Sequence, residues 1–427
     1  MKSPVSIYVV HHPKCKLAGQ LASSLFDWFR LGYLGSDSNS VGVPIYFRRS
    51  LPDDDEGDAI LAPPIDDQDS ERTVIVALVD HEIVVDPKWR SAIVRLAKKV
   101  DEERKKRNGK KSKSKTGERT ILLPVALHDS FYRTDILYKK FNPVRLIGLE
   151  PEQMKRKLRR AATETIAREI RVEGFDQSPP PLKVFLSHAK RDGIEIAETI
   201  RDGIRRFSQM EAWYDTNDLR YGDSWEDPMT SAASIDTAAL IAAVTDAYPT
   251  RPWCRREARL ARTPVLSDCK TKKIWQVQPV VSIEKPGDDW VRGVEMLAGV
   301  PRIGWNDAAG ASQVAKILDR LVLEVLLVRV HVELAKKLVA HLEGKISKKD
   351  LDAKCFISWV PDVWTLAELR FRMSHAPSSS KIRKPSAIKE IVYPGHGLTE
   401  SEKRGLLPIV RTFHPEAELK SFEEAWK

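Results

Sequence analysis

Residues 183–192 read KVFLSHAKRD. Val184, Phe185 and Leu186 form an uninterrupted apolar run, which predicts a strand over 183–187 with both faces buried. The run stops at a polar pair, Ser187 and His188, and Gly193 then opens a stretch of helical spacing over 193–207. Reading onward, short apolar strands are expected at 211–214, 237–244, 276–283 and 302–305. Helices are expected at 225–233 and 253–262, with a polar loop at 217–224. Strands that alternate with helices imply a parallel sheet covered on both faces. A long helix over 312–342 is expected to leave this domain.

Working outward, the same order of elements occurs once before. Strands are read at 6–10, 43–47, 73–79, 120–127 and 144–149, with helices at 17–31, 87–100 and 154–172. An acidic loop, 53–71, contains Pro63-Pro64. Residues 175–182 (FDQSPPPL) form a stiff linker between the two patterns. After the long helix, strands at 354–359, 388–393 and 418–422 and a helix at 364–372 are too few for a full doubly wound sheet. Thr399 with Glu402 three residues on is a capping box. The expected organisation is 1–174, linker 175–182, 183–310, a connecting helix 311–345 and a small α/β appendage 346–427. The class is α/β, with tandem flavodoxin-like parallel sheets.

The chain has 427 residues and a formal net charge of +10. Such basicity suggests nucleic acid as a partner, so its location matters. Residues 98–119 hold eleven Lys and Arg against four Asp and Glu, a net of +7. This segment interrupts the first pattern, and its second half is polar and contains glycine. It can touch phosphates, but it has no aromatic residue on which a base could stack. A solvated insertion is therefore favoured over a nucleic-acid site. Four cysteines stand far apart with no CxxC, which argues against a disulfide framework or zinc ribbon and for a reducing, cytoplasmic setting. No apolar run approaches the length of a membrane span, and the best, 321–330, is broken by Glu324 and Arg329. No metal site is read.

In an open α/β sheet, ligands bind beyond the carboxyl ends of the strands. Three strand ends of the second pattern carry polar groups there: Ser187-His188, Asp215, and the run from Thr245 to Tyr248. Trp225 stands in the loop region, and Trp253-Cys254-Arg255-Arg256-Glu257 follows a proline-bounded turn. Hydroxyls, acids and aromatic rings thus converge on one sheet edge, which suits a ligand with aromatic and polyhydroxyl parts.

The stretches VFLSHAKRD, AWYD, YGDSW and above all TDAYPTRPWCRREA resemble a TIR (Toll/interleukin-1 receptor) domain over 183–306. Tyr248, Trp253, Cys254 and Glu257 stand in the register of that family's S-x-x-Y…S-x-W-C-x-x-E signature. The resemblance implies that Glu257 is the catalytic carboxylate of an NAD⁺ glycohydrolase. It implies that Ser187, His188, Asp215, Trp225, Tyr248 and Trp253 bind substrate, with NAD⁺ as substrate and no cofactor. It further implies self-association of TIR domains, an activating partner of unidentified chemistry, and a role in bacterial antiphage or cell-suicide immunity. The chain departs from the family at His188 and in having Leu-Arg-Tyr before Gly222 in place of the usual proline. Residues 1–172 resemble the same family more loosely. Trp89 stands where Trp253 stands, but the position four later is Ile93, so this domain reads as degenerate.

Other readings of the same residues remain open at this level. Glu257 can be a solvent-facing acid pairing with Arg255, Arg256 or Arg259. Trp253 can be a core anchor, Cys254 a small buried hydrophobe, and Ser187-His188 a cap of the strand-to-helix turn. The functional alternative is a non-catalytic scaffold that signals by TIR–TIR assembly.

Overall fold

The computed structural model describes residues 3–30, 43–51, 65, 70–109, 119–170, 181–213, 233, 237–267, 274–285, 294–376, 382, 384–395 and 398–427. Asp215, Trp225, the loop 217–224 and the helix expected at 225–233 (but for residue 233) lie outside these residues, as do most of the 53–71 loop and of the 175–182 linker. The chain divides into two compact units, Met1–Ile166 and Ala167–Lys427.

In the first unit, β1 (Ser6–His11), β2 (Ile45–Arg48), β3 (Arg72–Val79), β4 (Arg119–Ala126) and β5 (Val144–Arg145) form one sheet in the order β2-β1-β3-β4-β5. Every pairing is parallel. The helices are α1 (Lys16–Arg30), the short α2 (His81–Val85), α3 (Pro87–Gly109), α4 (Asp135–Lys140) and α5 (Pro151–Glu169). Helix α3 runs nine residues past the end read from the sequence, through the first half of the basic segment. The reason is local: this stretch is rich in Lys, Arg and Glu, all good helix formers. Lys105 also pairs with Asp101 one turn back at 2.7 Å. Residues 110–118 lie outside the described residues.

The second unit repeats this architecture. Strands β6 (Lys183–His188), β7 (Glu211–Trp213) and β8 (Ala239–Val244) are followed by helix α7 (Pro252–Arg262), with α6 (Ile194–Phe207) crossing between β6 and β7. Next come β9 (Val265–Leu266), β10 (Ile274–Gln276), β11 (Val280–Glu284) and β12 (Arg302–Gly304). The sheet order is β12-β11-β8-β6-β7, again with every pairing parallel. Each sheet thus starts in its middle, grows to one side, then returns to the other. The two patterns read in the sequence are two flavodoxin-like sheets of one topology.

The strand expected over 276–283 is two strands in two different sheets. β10 belongs to a third sheet, in the order β15-β14-β13-β10-β9, with β13 (Lys354–Ile357), β14 (Glu390–Tyr393) and β15 (Glu418–Ser421). β10 runs parallel to β13 and antiparallel to β9. The C-terminal segment therefore completes its sheet with a hairpin from within residues 183–310. The break falls at Val277–Pro279 because Pro279 has no N–H to continue a ladder. Gln278 holds the crossing: its backbone N–H donates to Ala261 O at 3.1 Å, and its buried amide donates to Thr237 Oγ1 at 2.6 Å.

Helix α8 (Gly310–Glu343) lies within the second unit. Ile317, Leu321, Val322, Leu323, Leu326 and Leu334 are all buried and point in different directions around the axis, so apolar surface extends around the helix and must be covered on several sides. The two charges that break its apolar run are both engaged. Glu324 pairs with Arg320 at 2.7 Å, and Arg329 donates to the carbonyl of Ala167, the first residue of this unit, at 2.6 Å. The remaining helices are α9 (Lys348–Asp352), α10 (Val363–Ser374), α11 (Glu400–Val410) and α12 (Phe422–Trp426). The capping box expected at Thr399 and Glu402 opens α11, with both reciprocal bonds formed.

Helices α6 and α8 meet at Gly203, where a Cβ would lie 2.1 Å from Val314 Cγ1. Gly203→Ala is expected to destabilise the protein by about 1–3 kcal/mol through overpacking. Gly19 on α1 has open space where its Cβ would go. Gly19→Ala is therefore expected to be neutral or stabilising by up to about 1 kcal/mol. Urea midpoints of the two variants decide the matter; equal midpoints would mean that the α6–α8 contact has slack.

Candidate functional site

The sheet of β6, β7, β8, β11 and β12 reverses its strand order between β6 and β8, and the carboxyl ends of the strands at such a switch point are where open α/β sheets have their ligand crevice. Ser187 and His188 end β6, and Thr245 follows β8. Helix α7 packs over these ends. Its buried residues are Cys254, Glu257, Ala258, Ala261 and Arg262. Four of these recur at i, i+3, i+4 and i+7, so Glu257 lies on the inward stripe. Arg255, Arg256 and Arg259 are exposed on the other side. Glu257 is only 6% exposed. The reading of Glu257 as a solvent-facing acid is thereby overturned: the helical period turns it toward the sheet.

There it meets a chain of hydroxyls. Ser187 Oγ donates to Glu257 Oε2 at 2.5 Å. The Tyr248 hydroxyl lies 2.7 Å from Ser187 Oγ. Since the serine proton is directed at the carboxylate, the tyrosine O–H donates to the serine oxygen. The order is Tyr248 to Ser187 to Glu257, every member buried. Burial, reinforced by the nearby charge of Glu257, pushes the Tyr248 phenol well above its ordinary range, so it remains a donor. Its ring is fully enclosed. Tyr248 thus orients Ser187 from below.

Cys254 donates from Sγ to His188 O at 3.4 Å. Burial first, and then Glu257, push its thiol up to about 12. A thiol so strongly held in the protonated form is no nucleophile near neutral pH. This agrees with the reading of Cys254 as a small buried hydrophobe. His188 is buried beside it, with Nδ1 3.5 Å from Leu186 O. Trp253 is half-buried, and the Arg256 guanidinium sits 4.7 Å from its ring centroid, a cation–π distance. Ser187, His188, Tyr248 and Glu257 are therefore gathered at the strand ends beneath α7, and Trp253 stands one turn before Glu257 on that helix, while Asp215 and Trp225 lie outside the described residues.

One residue went unremarked in the sequence. Asp192 accepts from Thr245 Oγ1 at 2.6 Å and from Ala247 N–H at 3.0 Å. It ties the loop after β6 to the loop after β8 and so sets the turn from which Tyr248 descends. The available signal was an Asp just beyond a strand end, a place where short acids bond neighbouring backbone. Among the described residues, no group of three or more His, Cys, Asp or Glu is placed to hold a metal.

A carboxylate removed from water costs several kcal/mol unless donors compensate it. A crevice that seats one at a switch point, with a hydroxyl delivered to it, suits stabilising positive charge that develops on a bound ligand. Residues 184–297 match the TIR domain family. A TIR domain is present. It covers β6 to the turn before β12, and the crevice lies wholly inside it. No curated protein matches the chain. Among solved structures, the tagatose-6-phosphate ketose/aldose isomerase of Escherichia coli is similar at 9% identity, covering 78% of this chain and 83% of that one. Its TM-score of 0.19 is too low to carry an argument. Among the described residues, no helix is long and apolar enough to cross a membrane.

The first unit has a different residue at the matching place on α3. Ile93 is 2% exposed within the apolar core, and Trp89 packs edge-on to His12 at 5.2 Å. No carboxylate stands there.

The Cys254 thiol yields a test in alkaline solution. Folding raises its pKa from 9.0 to about 12, so the folded protein holds this proton more tightly than the unfolded chain. That contribution is complete below pH 9 and is lost as the pH rises toward 12. Urea midpoints measured at pH 8 and above pH 9.5 are expected to fall more steeply for the parent than for Cys254→Ala. Parallel declines would show that the thiol titrates as it does in the unfolded chain.

Proposed function

We propose that the TIR domain is an NAD⁺ glycohydrolase, with Glu257 as its catalytic carboxylate. The observation that carries this reading is the buried Tyr248–Ser187–Glu257 chain at the switch-point crevice. In the proposed reaction the bond between the nicotinamide nitrogen and ribose C1′ breaks. Its electron pair leaves with nicotinamide, which departs as a neutral molecule and needs no strong general acid. Positive charge builds on the ribose, and the Glu257 carboxylate stabilises it. Water then attacks C1′ and loses a proton, giving ADP-ribose; attack by an internal nucleophile gives a cyclic isomer instead. Ser187 holds Glu257 in place, Trp253 offers a ring on which a base can stack, and Asp215 and Trp225 complete the substrate site.

On this reading the first unit is a degenerate TIR-like domain, since Ile93 replaces the carboxylate. Uncontrolled loss of NAD⁺ would kill the producing cell. Activity is accordingly gated, with self-association of TIR domains through the 217–225 loop and a further activating partner. Such an effector fits bacterial antiphage or cell-suicide immunity in the cytoplasm.

The experiment is nicotinamide release from NAD⁺ by the full chain, with and without a crowding agent. Glu257→Gln keeps an acceptor for Ser187 but removes the charge, and is expected to lower the rate at least about 100-fold. Ser187→Ala leaves the charge but loosens it, with an expected loss of about tenfold. No release from the parent under any condition, phage challenge in cells included, would favour the scaffold reading. Equal rates for parent and Glu257→Gln would remove Glu257 from the chemistry.

A further inference from the structure

The outer side of α7 lines a second hollow, of about 750 Å³, apart from the Glu257 crevice. It is formed by α7, the β9–β10 hairpin and α10. A volume of this size suits a nucleotide-sized ligand. Its floor is apolar, built from Leu260, Val265, Leu266, Trp275 and Ile382. Arg256, Arg259 and Arg372 stand among the lining residues, with Glu368 as the carboxylate among them. Three guanidinium groups against one carboxylate leave the lining cationic.

Glu368 organises this charge. It is 8% exposed, and its two oxygens face Arg259 at 3.4 Å and Arg372 at 3.8 Å. Each guanidinium carries five N–H donors in a fixed fork. One carboxylate cannot take them all, so the pair is held in position with donors to spare for an anion. Phe371 and His375 add an aromatic wall, their rings 4.1 Å apart. Phe371 is 50% exposed, unusual for a large apolar side chain beside a hollow.

We propose that this hollow binds a small aromatic anion, a planar ring carrying phosphate, of which a nucleoside diphosphate is the representative. The ring lies on the Phe371 and Trp275 side, and the phosphates face Arg259 and Arg372. The site is independent of whether Glu257 hydrolyses NAD⁺. It does touch the helix that carries Glu257: Arg256 reaches from the hollow's lining to the Trp253 ring, so occupancy is positioned to bear on the crevice.

The test is titration of the full chain with ADP, read by calorimetry and by tryptophan fluorescence, since Trp275 lies in the floor. One ADP is expected to bind per chain, tighter than about 1 mM. Adenosine and inorganic pyrophosphate, each carrying half of the recognition, are expected to bind at least tenfold more weakly. Phe371→Ala and Arg372→Gln alter half-exposed side chains, the latter leaving Glu368 its Arg259 partner, and each is expected to weaken ADP at least tenfold with an unchanged melting temperature. Should either fail to fold, His375→Ala on the exposed rim replaces it with the same expectation. Glu257→Gln is expected to bind ADP as the parent does. The proposal is overturned if ADP does not saturate, if pyrophosphate binds as well as ADP, if the rim variants bind normally, or if Glu257→Gln abolishes binding.

Discussion

Helix α7 is held on both of its sides, and the architecture of the second unit turns on that constraint. Inward, it packs Ala258 and Ala261 on the parallel sheet and presents Glu257 to Ser187. Outward, Arg262 bonds Asp362, and Arg259 pairs with Glu368. Asp362 is itself the cap of α10, accepting from Thr365 N–H at 2.9 Å. A short helix with polar anchors on opposite sides has little freedom to roll. That is what a carboxylate needs if it is to stay buried against a single serine, because a small rotation would strand it without its donor.

The third sheet follows from the same arrangement. After α7 the chain first makes the β9–β10 hairpin and only then, past Gln278 and Pro279, enters β11 of the central sheet. The hairpin supplies the edge on which β13, β14 and β15 assemble, while the apolar sides of α8 are covered within the same unit. The C-terminal segment and the TIR domain thus share secondary structure.

Much of the candidate site was legible from spacing. The polar ends of β6 and β8 were read correctly because a buried parallel strand is an apolar run that stops abruptly. Glu257 stood in a signature, and its inward orientation was readable from the period relating Cys254, Glu257, Ala258 and Ala261. The hydroxyl chain was not readable. Ser187 and Tyr248 lie 61 residues apart, and Ser187 and Glu257 lie 70 apart. Nothing local says that these three touch. Asp192 escaped notice for the same reason, its partners being on the neighbouring strand end.

By itself the sequence determined the alternation of strand and helix, the repetition of that pattern, the apolar cores, and the capping box at Thr399 and Glu402. These depend on neighbours within a few positions, where periodicity and backbone chemistry act directly. The length of α3 and the break at Pro279 were also local, and were missed because charge and apolarity were weighed above helix propensity and a missing N–H. Tertiary structure alone decided that 274–276 and 280–284 belong to different sheets, that α8 is covered on several sides, and that Glu257 rests on Ser187. Those outcomes depend on which surfaces remain uncovered once local elements have formed. Covering apolar area and satisfying a buried carboxylate are properties of the whole packed unit.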